Sequence, residues 1–188
     1  MNVEAEPRTL RKPPLFSVEG LAVFAILDGA RRPDLLDRLK AQDEEWACLF
    51  SGPLAPEVAA RSPYLVRLRP EAELTAWVLD GWGQSGGIFA AIDDELPFKK
   101  VRNHFRGFLQ VKGPDDQVLF FRYYDPRVSS KYLPTMNAAE IEIVFGPVRH
   151  YALESDTGEA MLRFRVRDGV VDEERISLTP DRDFRFRL

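Results

Sequence analysis

The sequence predicts an α/β fold, a mixed β-sheet flanked by helices, with an antiparallel β-hairpin appendage at its C-terminal end. Three observations carry that reading. Continuous apolar runs of strand length, such as "LAVFAIL" at 21–27, imply strands buried on both faces. Segments with apolar residues at helical spacing lie between several of these runs. Beyond Val148 the texture changes, and "MLRFRVRDGVV" alternates apolar residues with arginine around Asp168-Gly169, a two-residue hairpin signal.

The elements follow in order. Residues 1–14, "MNVEAEPRTLRKPP", read as a flexible polar arm that lacks the apolar centre of a signal peptide. After "LAVFAIL", Asp28-Gly29 stops the strand. Pro33 and Asp34 suit a first helical turn, with Leu35, Leu36 and Leu39 on one face. "WACLF" (46–50) reads as a buried strand and "YLVRL" (64–68) as another. Pro70 opens a helix carrying Leu74, Trp77 and Val78, which Gly81 ends. "GIFAAI" (87–92) is strand-like, and Phe98, Val101, Phe105, Phe108 and Leu109 form a helical stripe. "VLFFRYY" (118–124) reads as a strand ended by Asp125-Pro126. Asn137 and Glu140 form a capping box for a helix with Ile141, Val144 and Phe145, halted by Gly146-Pro147. Some successive strands lack a crossover helix, which is why the sheet is expected to be mixed. The expected organisation is an arm at 1–14, an α/β domain at 15–153 and a β-strand extension at 154–188.

Composition narrows the function classes. The 188 residues suffice for one domain with a sizeable core. The formal net charge of -4 provides no overall basic field, so nucleic acid is not expected as a partner. One cysteine excludes an intramolecular disulfide, and with two histidines leaves little for a zinc site. Cys48 is expected as a small buried residue. The longest apolar run is too short to span a membrane, so a cytoplasmic protein is expected. No dinucleotide or phosphate-binding glycine pattern is present, and no cofactor is expected.

Among candidate chemistries, "GQSGG" (83–87) matches the G-x-S-x-G nucleophile elbow, and Asp125 and His150 follow Ser85 in hydrolase order. That elbow must leave a strand and enter a helix, whereas here a helix precedes and a strand follows. The glycines fit a helix stop and a tight strand entry better. His104 reads as a partly exposed surface residue and His150 as a satisfied strand residue. Asp93, Asp94 and Glu95 precede a helix and suit its N-terminus without a metal. Lys99, Arg102, Asn103 and Arg106 form a basic face opposite the aromatic stripe. Arg163, Arg165 and Arg167 form a second, strand-borne basic edge. Both are candidate partner-binding surfaces, and an acidic or amphipathic segment is their natural complement.

The stretch "FFRYYDPRV" (120–128) places Arg122, Asp125 and Arg127 together. Pro126 ends the ladder, and an ionised Asp125 can accept from Arg122, from Arg127 or from backbone N–H groups. These three residues are expected to form a structural brace, with partner contact and catalysis as the lesser alternatives.

The ordered motifs "FAILDGA", "LFSGPLAPEVAARSPYLVRL", "WGQSGGIFAAI", "HFRGFLQV", "LFFRYYDPRV…YLPT" and "FGPVRHY" resemble one bacterial family. It is the adaptor or chaperone family of the type VI secretion system, catalogued as domain of unknown function 4123. The resemblance runs from about Leu21 to Tyr151. It implies a non-enzymatic protein that binds a secreted effector and helps load it onto the VgrG spike. Family members usually continue into a variable lobe, in whose place this chain carries the arginine-alternating strands. Two rivals stand beside that reading: an immunity-type module that binds a toxin, and a serine hydrolase using Ser85.

Overall fold

The computed structural model describes residues 10–112 and 115–180. Among these residues nine strands and six α-helices follow in the order β1 (Leu21–Asp28), α1 (Leu35–Lys40), β2 (Trp46–Cys48), α2 (Pro56–Ala60), β3 (Pro63–Leu68), α3 (Glu73–Asp80), β4 (Gly87–Asp93) and α4 (Phe98–Gly107), then β5 (Gln110–Lys112), β6 (Val118–Phe120), α5 (Pro126–Tyr132), α6 (Ala138–Phe145), β7 (Val148–Glu154), β8 (Ala160–Arg167) and β9 (Val170–Ser177). Seven strands form one sheet in the order β2-β3-β1-β4-β7-β8-β9, and β5-β6 form a separate two-stranded sheet.

Strand β1 organises the core because its alternate residues serve two apolar layers. Phe24 and Ile26 face the layer that contains Val101 and Phe105 of α4 and Ile141, Val144 and Phe145 of α6. Val23, Ala25 and Leu27 face Leu35 and Leu39 of α1 and Leu74 and Val78 of α3. A strand covered on both sides must be apolar throughout, which explains "LAVFAIL". Helices therefore flank the sheet on both faces, as the sequence pattern predicts.

Every ladder in the sheet is antiparallel. The mixed pairing expected from the crossover helices does not arise, for a topological reason. Helix α1 connects β1 to β2 and α3 connects β3 to β4, each pair running in one direction. A strand of opposite direction lies between the members of each pair, so no parallel neighbours meet. The "WACLF" segment contributes a half-buried edge strand of three residues rather than a strand covered on both faces.

The C-terminal hairpin forms as expected, with Asp168 (φ 50°) and Gly169 (φ 78°) in the left-handed conformation of its two-residue turn. It is integral to the sheet. Strand β8 pairs with β7, and Met161 and Phe164 are fully buried on opposite faces. The described end of the N-terminal arm also packs: Arg11 N donates to Leu178 O (2.7 Å), and Leu15 is buried. The remainder of the arm and the C-terminal "FRFRL" lie outside the described residues.

One expected element is replaced. "VLFFRYY" is not a continuous strand; β6 stops at Phe120, and its three residues are exposed. Residues 121–125 turn, and Asp125 is the N-cap of α5 with Pro126 in its first turn. Asp-Pro can end a strand or begin a helix, and here the helix wins because Asp125 accepts the Arg127 N–H at 3.0 Å.

Because Phe164 carries the hairpin into the main core, Phe164→Ala should destabilise the whole domain by about 3–5 kcal/mol. Chemical denaturation should show one cooperative transition shifted to lower denaturant. Separate melting of the hairpin, with the main transition unmoved, would contradict this account.

Candidate functional site

The motif residues gather at one end of the sheet, where β1 and β7 finish and β3, β4 and β8 begin. Asp28, at the end of β1, is fully buried. One of its carboxylate oxygens accepts from Ala30 N (3.0 Å) and the other from Arg122 Nη2. The partner of Arg122 is therefore Asp28, remote in sequence, rather than Asp125 alone. Burial disfavours the Arg122 charge, but the hydrogen bond and attraction of Asp28 outweigh it and raise its pKa. The Arg122 guanidinium also lies 5.8 Å from the Tyr124 ring centroid.

Asp125 and Arg127 form a second pair. Arg127 donates from Nε (2.9 Å) and Nη2 (2.5 Å) to the two Asp125 oxygens. Burial works against ionised Asp125, yet the side-chain and backbone hydrogen bonds from Arg127 hold its pKa below the usual carboxylate range. Next to them Tyr123 is buried, and its hydroxyl donates to Phe105 O (2.8 Å). The stretch 121–127 thus ties α4, α5 and the end of β1 together.

Sequence reasoning missed two members of this cluster. Glu154, buried at the end of β7, accepts the backbone N–H groups of Gly83 (2.5 Å) and Ser85. Arg32 donates to Val78 O (2.9 Å) and sits 4.8 Å from the Trp77 ring centroid. Burial lowers its pKa, with the nearby carboxylates of Glu154 and Asp34 opposing that shift. A Cβ at Gly81 or Gly86 would collide with this guanidinium, a reason for glycine at both positions beyond helix stop and strand entry. The only advance signal for Glu154 was a carboxylate ending an apolar strand, and for Arg32 the glycines themselves.

Ser85 sits between α3 and β4 with φ 55°, the reverse of a strand-to-helix elbow. It borders a pocket of about 270 Å³ with Arg127, Lys131, Glu154 and Asp156. Both Glu154 oxygens are occupied by backbone donors. His150 lies four residues back along β7, roughly 13 Å from Glu154 at strand rise, so Ser85 and His150 are not brought together. Asp93 pairs with Arg149 (2.9 Å) and Asp94 with Arg67. Among the described residues no group of three His, Cys, Asp or Glu side chains could hold a metal. Cys48 is half-buried. His104 is half-buried, with Nε2 3.1 Å from Val144 O, and burial lowers its pKa.

The two basic surfaces differ. Arg163, Arg165 and Arg167 lie on β8, which is an internal strand, so they form no sheet edge. They pair across to β9: Arg163 with Glu174 (3.4 Å), Arg165 with Asp172 and Glu174, and Arg167 with Asp172. Cross-strand carboxylates thus neutralise them. On α4, Lys99 is exposed and Arg102 and Arg106 are half-buried. None of these three has an ion pair among the described residues. The β5-β6 sheet exposes Val118, Leu119 and Phe120, the last at 65%, and Phe120 lines one groove with Arg106.

Residues 23–142 match the family model described as Domain of unknown function (DUF4123). The chain belongs to that family. No curated protein and no solved structure matches it. Within the matched span lie Asp28, Arg32, Ser85, Arg122, Asp125, Arg127 and the whole of α4, whereas Glu154 and the β8-β9 hairpin of this DUF4123 chain fall beyond it.

The brace has a quantitative consequence. Glu154→Ala leaves two backbone N–H groups unpaired and should cost about 2–4 kcal/mol. Asp125→Ala should cost about 1–2 kcal/mol, the loss of a helix cap, because half-exposed Arg127 regains water. Urea denaturation of the two variants measures the order; the reverse order would refute this division of roles.

A pH dependence follows from His150. Burial, with Arg163 and Arg165 nearby, lowers its pKa to about 4. Between about pH 6.5 and 4 only the unfolded chain takes up the proton, so stability should fall as pH falls through that window. Below it both states are protonated and this loss ends. Denaturation midpoints for His150→Asn should vary less over the same window than those of the parent; equal slopes would remove His150 as the cause.

Proposed function

We propose that this chain is a non-enzymatic cytoplasmic adaptor that binds a type VI secretion effector and helps load it onto the VgrG spike. One observation carries the reading: an exposed apolar strand pair beside an unpaired basic helix face. Val118 and Phe120 are both more than half exposed, and Phe120 lines one groove with Arg106 of α4, the helix that also carries Lys99 and Arg102. Exposed apolar side chains grouped beside unpaired cations are characteristic of a surface that another protein covers. The motif resemblance to secretion adaptors supplies the identity of the partners. The saturated carboxylates of Asp28, Asp125 and Glu154 fit a scaffold that holds such a surface in place.

The test is secretion and assembly. Deleting the gene should abolish export of the effector encoded near the spike gene, and the purified chain should form a complex with effector and VgrG. Ser85→Ala should restore export as fully as the parent, since no step depends on that hydroxyl. Neutralisation of a toxin without any VgrG complex would instead establish the immunity-type module. Export restored by the parent but not by folded Ser85→Ala would establish the hydrolase.

A further inference from the structure

An open groove with a volume of about 760 Å³ lies between the segment after β2, helix α2, the end of α4 and strand β6. Phe50, Leu54, Val58 and Phe120 line it with apolar surface, and Asn103 and Arg106 supply its polar side. Phe50 and Phe120 meet edge to face with ring centroids 5.7 Å apart, so two elements remote in sequence build one apolar wall. Helix α2 buries none of its residues, and Val58 is 46% exposed. Val58 exposed on α2 and an aromatic wall open to water are unexplained by the packing of the domain itself.

We propose that this groove receives an amphipathic helix of a protein partner, its apolar stripe in the groove and an adjoining acidic stripe along α4. The proposal rests on the adaptor reading for its biological setting, but its geometry is independent of which protein supplies the helix. Lys99, Arg102 and Arg106 are spaced i, i+3 and i+7 on α4, about 10 Å along the axis. Carboxylates at the same spacing on an opposing helix can meet all three. Half-buried Arg102 and Arg106 are already partly desolvated and lack carboxylates of their own, so an acidic partner gains most there. A second copy using the same face would bring Lys99, Arg102 and Arg106 against their own kind, which opposes a symmetric pair.

The test uses two synthetic peptides of about five helical turns (~18 residues) with leucine at i, i+3, i+4 and i+7. One carries glutamate on the flank and the other lysine. Fluorescence anisotropy on the full chain should show the glutamate peptide binding about tenfold or more tightly, with the gap shrinking as salt rises. Amide shifts should be centred on Ser51, Asn103, Gly107 and Phe120. Arg106→Glu should erase or reverse the preference, and Phe120→Ser should weaken both peptides. Equal affinities, shifts centred elsewhere, or self-association through this face by sedimentation would each overturn the proposal. If Arg106→Glu and Phe120→Ser still capture effector and VgrG at parental strength, the groove assignment falls and the adaptor reading stands. If the peptide results hold but no complex with effector or VgrG forms, the adaptor reading falls and the groove remains.

Discussion

The buried carboxylate of Asp28 is the constraint on which the rest of the architecture turns. It ends the strand that serves both apolar layers, so it sits where an unpaired charge would be most costly. The Ala30 N–H and Arg122 answer that cost, and Arg122 is delivered by the turn that leads into α5. The order of dependence is therefore sheet, carboxylate, arginine, turn. Asp125 then serves that turn by capping α5 and holding Arg127. Glu154 does a related job from β7, fixing the turn after α3 through its backbone. These acids terminate strands or begin a helix, and each is matched by donors that the chain brings from elsewhere.

Charge is consequently divided between two uses. The arginines of β8 are consumed internally by Asp172 and Glu174, whose strand lies directly beside them. Those of α4 have no such partner among the described residues, and the groove that Arg106 borders is lined by no acid. In the sequence both read as basic faces, one by helical spacing and one by strand alternation. Only the pairing of β8 with β9 separates a neutralised ladder from an open basic face.

Long-range order explains what the sequence disclosed and what it withheld. "LAVFAIL", the stripe of α4, the Asn137–Glu140 capping box and the Asp168-Gly169 turn are local signals, and local physics suffices to read them. Asp28 with Arg122 and Glu154 with Gly83 are encounters across the sheet end, and no spacing rule reports them. The strand expected at 118–124 stops at Phe120 because aromatic content favours a strand while the Asp125-Pro126 pair equally suits a helix start. The Asp125 cap is local, but the burial of Tyr123 and the pairing of Arg122 with Asp28, which hold the turn before it, are tertiary.

The same reasoning separates scaffold from surface. Tyr123 stacks on Phe105 and touches Phe108, so the rings on one side of the turn complete the core against α4. Phe120, three residues earlier, lies outside that core and contacts Phe50 across the mouth of the groove. A single short segment thus anchors the domain at Tyr123 and presents an uncovered ring at Phe120. Arg122, between them, fixes the segment to the end of β1, so the exposed ring is positioned by an ion pair to the buried Asp28 carboxylate. Under the proposed docking, a wall already in place would leave less to be ordered on binding. The brace and the groove are therefore one device: the first supplies the fixed geometry that the second requires.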